Sequence, residues 1–388
     1  MRQMPQKTVL ITLGRLPKAL DLARSFHRLG YRVIIAEPFR WHLSGASSAV
    51  AKSYQVTAPA INRHDYLADL VRLIQAESVS LVVPVSEEII HASFLREHLP
   101  AGVQLYAMPS ATLLRLHDKH TFIDACREYG LSAPDTFALD DERAALLAQE
   151  TDFIIKPLLS CSGRGVTFHL RGEALPAPDS AQPMIVQRWV KGDVFSTFSI
   201  ATAGRAVTTV LYKGAVMSGT VAVAFERVTV SDAAHPTICE WVDRFISASD
   251  FTGFISFDFV VDSAGQAHAI ECNPRATSGL HYVHVDDLAQ AVVDSANGQH
   301  SGRSLRFRDE RLLQQFYPCL TEVQKSMFSG KHFRRNLGTL IRAKDVSGSW
   351  RDPLPFLTMP LTASQIIWLS IQRGCTFGEV ATLDVGWY

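Results

Sequence analysis

Neither sign of charge is in excess in this chain of 388 residues: Lys+Arg and Asp+Glu both number 38, for a formal net charge of zero. Nucleic-acid binders usually show a basic surplus, so no nucleic acid is expected as a partner. The six cysteines include no CxxC pair, which reads as reduced thiols in a cytoplasmic protein rather than a disulfide framework or a zinc site. No stretch approaches about 18 uninterrupted apolar residues, the length a membrane span needs. The run Val9–Leu13 is too short for a signal-peptide core. A GxGxxG fingerprint is missing too, which removes the usual case for a dinucleotide enzyme. No Ser/His/Asp or Cys/His pairing announces a protein nucleophile. What is present, 47% hydrophobic and 20% charged residues, is the composition of a folded globular protein. At about 150 residues per domain, the length suggests two or three domains.

The first hundred residues alternate strand and helix. Thr8–Leu13, Arg32–Ala36 and Ser80–Val85 read as buried strands; Pro17–Leu29, Tyr66–Gln75 and Ser86–His98 read as helices. Unalternating strands separated by helices predict a doubly wound parallel sheet. Glu87 and Glu88 follow the third strand, at the edge where such sheets bind ligands, and are candidates to face substrate. Pro109–Tyr129 reads as one helical stretch. From Phe153 the pattern changes to strands joined by Gly-bearing turns. Hairpins are expected for Phe195–Thr202 with Ala206–Tyr212, and for Phe254–Val261 with Ala267–Glu271. Helices are expected at Pro236–Ser247 and Asp287–Ala296. Beyond about residue 300 the pattern is less regular, with an amphipathic helix expected at Leu361–Ile371.

The chemistry concentrates in FISFDFVVDSAGQAHAIECNPR. Residues two apart on a strand share a face, so Glu271 and Asn273 point the same way and Asp258 on the partner strand can reach them. Two carboxylates and an amide oxygen are hard donors suited to Mg²⁺, with Mn²⁺ acceptable. Arg275 places a fixed cation beside them, suited to a phosphate or carboxylate. Lys156 lies in the apolar strand FIIKP, where an ammonium is costly unless paired. Ser162, Gly163 and Gly165 follow in a loop whose backbone can approach a polyphosphate. The strand MIVQRWV, then Lys191-Gly192-Asp193, can offer backbone groups to a base edge and an acid to a ribose hydroxyl. Cys272, between two metal candidates, should face the core. His281 is a candidate to line an acceptor site.

In this order the motifs resemble those of the ATP-grasp superfamily, in particular its carbamoyl-phosphate-synthetase-like and carboxylate–amine ligase members. The resemblance covers roughly residues 5–300. It implies a Rossmann-like unit at 1–108, a two-lobed nucleotide-binding fold at 109–300 (small lobe about 118–190, large lobe about 191–300) and a C-terminal extension at 301–388. It implies that Lys119 and Lys156 bind ATP phosphates with the Ser160–Val166 lid, that Gln187, Arg188, Trp189 and Val190 form the adenine hinge, and that Asp193 holds ribose. Asp258, Glu271 and Asn273 are then the Mg²⁺ ligands, and Arg275 contacts the transferring phosphate. The implied activity is ADP-forming ligation of a small carboxylate to an amine through an acyl phosphate. Phosphorylation of bicarbonate or carbamate, or a non-catalytic nucleotide-binding role, are the alternatives. A homodimer is compatible with this.

Overall fold

The computed structural model describes residues 6–160, 163, 165–300, 302–330, 332–374 and 384–387. Strands β1 (Thr8–Thr12), β2 (Arg32–Glu37), β3 (Lys52–Gln55), β4 (Val79–Val83) and β5 (Gln104–Leu105) form a wholly parallel sheet in the order β3-β2-β1-β4-β5. Helix α1 (Pro17–Arg28) covers one face, with Leu22 and Phe26 in one core with Val9, Ile11 and Ile35. Helix α2 (Arg63–Ala76) covers the other, with Leu70 and Ile74 against Leu10, Ile34 and Val82. Every residue of β1 is buried, which is why its sequence shows no polar alternation. The helix expected at Ser86–His98 is shorter: α3 (Ile89–Ser93) passes into a 3₁₀ turn at Phe94–Glu97.

The stretch expected to be one helix at Pro109–Tyr129 is two, α4 (Ser110–His117) and α5 (Lys119–Glu128). Asp118 is extended (φ −68°, ψ 119°), and its carboxylate accepts from the N–H groups of His120 and Thr121. That N-cap restarts the helix, satisfying donors a helix end leaves open, and makes Lys119 its first residue.

Strands β6 (Thr136–Ala138), β7 (Phe153–Pro157), β8 (Thr167–His169) and β9 (Met184–Arg188), with helix α6 (Glu142–Glu150), build a four-stranded antiparallel sheet ordered β6-β9-β7-β8. Strands β10 (Gly192–Thr202), β11 (Arg205–Ser218), β12 (Val221–Arg227), β13 (Gly253–Asp262) and β14 (Ala267–Asn273) form the body of a seven-stranded sheet. Both expected hairpins are there. One face carries α7 (Ala234–Ala248), whose Trp241 and Phe245 meet Phe195, Phe257 and Phe259. The other meets α8 (Val285–Ala296) and α1, so Phe198 and Ile200 share a core with Leu22 and Leu288.

The C-terminal stretch is more regular than its sequence suggests. Strands β15 (Leu312–Gln314) and β16 (Lys344–Asp345) complete the seven-stranded sheet beside β12, and α9 (Phe316–Ser329) and α10 (Phe333–Arg342) join them. Helix α11 (Leu354–Arg373) contains the expected Leu361–Ile371 segment and buries Ile366 against Phe39. No described helix is long and apolar enough to cross a membrane. Residues 384–387 return to the first sheet. Asp384 takes two hydrogen bonds from the buried Arg15 guanidinium, at 2.7 and 2.9 Å, while Arg15 Nε donates to Glu37 at 2.8 Å. Trp387 lies against His91 and Phe94.

A buried network ties α1 to the turn after β14: Asp21 pairs with His281 at 2.7 Å and with Arg308 at 2.8 Å. Burial raises the Asp21 carboxyl, and Arg308 and His281 outweigh that and hold it below its ordinary value. Asp21→Asn, which leaves Arg308 without its acid, should cost about 3 kcal/mol. Urea unfolding at neutral pH measures this, and an unchanged midpoint would refute the role. The difference should shrink as pH falls below about 4, because the depressed carboxylate protonates there.

Candidate active site

The centre of the site is set by strand register. In the β13–β14 pairing Asp258 stands opposite Glu271 and Ser256 opposite Asn273. Alternation sends all of these to the α8 side of the sheet, while Phe257, Phe259 and Cys272 enter the α7 core, as expected for Cys272. Asp258 accepts from Ser196 on β10 at 2.6 Å and from Asn273 Nδ2 at 3.1 Å. Burial and the neighbouring Glu271 push the Asp258 carboxyl up to about 6.

Two lysines reach the same centre from different elements. Lys119, at the start of α5, is buried, with Nζ 3.6 Å from Glu271 and donating to the backbone and side-chain oxygens of Ser160. Lys156, on β7, donates to Gln187 Oε1 and to Ile270 O, both at 3.0 Å. Gln187 is itself buried and donates to Thr136. The partner of Lys156 is thus neutral, and burial brings the lysine down to about 8, with Glu271 opposing.

Arg275 connects this centre to the first sheet. Its guanidinium donates to Asn273 Oδ1 at 2.8 Å and pairs with the buried Glu87 at 2.6 Å. Asn273 therefore bridges Asp258 and Arg275 through its two amide atoms, and half a turn of the amide would exchange them.

The other sequence candidates fall into three groups. Trp189 is partly exposed and meets Phe168 edge to face at 4.9 Å, marking one wall beside the Gln187–Val190 strand end. Arg188 faces out toward Asp135 at 3.6 Å. Gly163 and Gly165 have φ +64° and +72°, and a Cβ on Gly163 would strike Thr220, so both positions require glycine; Ser162 lies outside the described residues. Three candidates are placed elsewhere. Glu88 accepts from Thr12 and from the N–H groups of Val85 and Ser86, closing the turn rather than facing a cleft. His281 is held in the Asp21 network. Asp193 is exposed on β10, where alternation puts it on the Phe195 side; Val194 takes the face of Ser196 and Asp258.

Sequence reasoning missed Ser196 and Lys18. Ser196 carried no signal, since a serine in a strand is unremarkable. Lys18 had one: a basic residue in the first turn of a helix, where the dipole disfavours it.

The donor set suits a hard divalent cation. Asp258 and Glu271 are two acids brought together, with Lys119 in ion-pair contact with Glu271, and burial together with Glu271 raises Asp258, so a cation between them would be favoured.

A family model for the ATP-grasp domain matches residues 116–279. The carbamoyl phosphate synthase large chain, C-terminal section, of Methanopyrus kandleri is 22% identical over 225 residues, which is 53% of this chain and 39% of that protein. The biotin carboxylase of Campylobacter jejuni superposes with TM-score 0.64 at 17% identity, over 78% of this chain and 73% of that one. N5-carboxyaminoimidazole synthetase of Staphylococcus aureus superposes with TM-score 0.62 at 13% identity, over 84% of this chain and 86% of that one.

Lys156→Met should not destabilise the nucleotide-free protein, because it removes a buried cation that lacks an acid partner. Its melting temperature should be equal to or above wild type. If Lys156 instead anchors the fold, the variant will melt well below it.

Proposed function

We propose that this protein, which carries an ATP-grasp domain at residues 116–279, is an ADP-forming ligase. It would activate a small carboxylate with ATP and join it to an amine or a related nucleophile. The observation that supports this reading is the convergence of two lysines, two acids, an amide and an arginine on one end of the β13–β14 hairpin. Phosphoryl transfer asks for placement and charge neutralisation rather than a protein nucleophile.

In this scheme Lys119 and Lys156 hold the nucleotide's phosphates beneath the loop containing Gly163 and Gly165. The backbone of Gln187–Val190 borders the base, with Trp189 and Phe168 as its wall. Asp258, Glu271 and Asn273 hold Mg²⁺, or Mn²⁺, which when bound neutralises the charge of the β- and γ-phosphates. Arg275 fixes the transferring group and the incoming carboxylate. A carboxylate oxygen attacks the γ-phosphorus and ADP leaves; the amine then attacks the acyl carbon, loses a proton, and phosphate departs. Asp193, turned toward the other face, is replaced in this reading by backbone contacts to the ribose. Phosphorylation of bicarbonate or carbamate is the second reading, favoured by the match to a carbamoyl phosphate synthase section. We place the protein in the cytoplasm, acting on small molecules, singly or as a homodimer. The working division is 1–108, 109–300 and 301–388, the last adding β15 and β16 to the large sheet.

Incubation with MgATP and a panel of amino acids and small carboxylates, followed by ADP assay and mass spectrometry of products, identifies the reaction. With that substrate pair, Glu271→Gln should lower kcat by about a hundredfold or more while keeping much of the nucleotide affinity, because the lost charge matters most as phosphate charge moves. Asn273→Ala should cost less, since water can replace a neutral donor. A fully active Glu271→Gln enzyme would overturn the assignment. Separately, Lys156→Met should weaken MgADP binding by about 1.5–3 kcal/mol, the worth of a charge-assisted contact, as read by calorimetry.

A further inference from the structure

Lys18 carries a charge for which the described fold supplies no acid. Its Nζ donates to Ala276 O at 2.6 Å and to Ser86 Oγ at 3.2 Å, both neutral acceptors. A lysine has three such donors, and among the described residues none of Lys18's meets a carboxylate. The nearby acids are already engaged: Glu87 with Arg275 at 2.6 Å, and Glu88 with Thr12 and two backbone N–H groups.

The position is costly for the fold in two further ways. Lys18 sits in the first turn of α1, a helix with no acidic residue in that turn and no side-chain cap at Leu16. Its ammonium therefore opposes the positive end of the helix dipole, where an anion would be favoured. Burial and the guanidinium of Arg275 bring Lys18 down to about 7, only partly offset by Glu87 and Glu88. The strongest charge it feels is thus a like charge, next to the Asn273–Asp258 bridge. Lys18 and Arg275 both donate to Ala276 O, at 2.6 and 3.4 Å, and two cations meeting at the carboxyl edge of a parallel sheet form an anion seat.

We propose that Lys18 and Arg275 together bind the carboxylate to be phosphorylated, so that the first sheet supplies a specificity-determining residue. The inference rests on the ligase reading and names its substrate class. Glu87, which pairs with Arg275 and acts on Lys18, repels a second negative group, so the substrate is a monocarboxylate. A carboxylate held there touches the residue that touches Asn273, which brings it to the metal-binding end of the site. Lys18 then acts on binding rather than on phosphoryl transfer.

The test uses wild-type protein and formate as the probe. The protein is treated with a trace of N-hydroxysuccinimide acetate at pH 7.5, and acylation at each lysine is followed by peptide mass spectrometry. Formate should slow acylation of Lys18 about threefold, the fall in free amine at pH 7.5 given by a one-unit rise from about 7. Chloride at equal ionic strength should not, and succinate should protect less than formate. The Arg275→Met variant should lose most of the protection. MgADP binding is measured in parallel by calorimetry. Equal acylation in formate and chloride by a protein that binds MgADP would overturn the anion seat and leave the nucleotide reading standing. Formate protection without MgADP binding would support the seat and overturn the ligase reading.

Discussion

Asp258 and Glu271 face each other across adjacent antiparallel strands, and the site is built around the tension between them. Like charges at a buried position resist joint ionisation, and the surroundings answer with directed groups. Lys119 approaches Glu271 from a helix start, Lys156 reaches the strand carrying Glu271, and Ser196 and Asn273 donate to Asp258. All of this depends on register. A one-residue slip of β13 would turn Asp258 into the aromatic core beside α7 and bring Phe257 or Phe259 to the site. The bulk of those rings, packed against Trp241 and Phe245, opposes such a slip.

The first sheet is joined to this centre by charged groups as well as by apolar packing. Arg275 spans from Asn273 to Glu87, and the Asp21–His281–Arg308 network crosses a few residues further on. Leu22, Phe26, Phe198 and Leu288 lie in one continuous core. Arg275 thus connects Asn273 directly to the first sheet.

Much of this was legible in the sequence where local pattern and function agree. The apolar runs of β1, β2 and β4, the two hairpins, and the facing of Glu271, Asn273 and Cys272 all follow from strand periodicity. The break at Asp118 was not, because helical spacing continues across it and only the capping geometry reveals the stop. The irregular reading of the C-terminal stretch failed for another reason: β15 has three residues and β16 two, and each owes its existence to an edge already formed by β12. Asp193 and His281 show the limit of motif order. A motif fixes residue spacing, but whether a side chain points into a cleft depends on the strand face and on what the tertiary fold places opposite. Val194, not Asp193, holds the site side, and Asp21 had taken His281 from a distance that no local pattern encodes.

The seat of Arg15 has a consequence for the order of events during synthesis. Its guanidinium is enclosed between Glu37 and Asp384, residues separated from it by very different lengths of chain, 22 and 369 positions. At ribosomal speeds of about 5–20 residues per second, on the order of half a minute passes between the emergence of the first strand and that of Asp384. Throughout that interval Arg15 has Glu37 but not its second acid, and the surface where Trp387 will lie stays open to water. The part of the protein made first is therefore the part that is finished last.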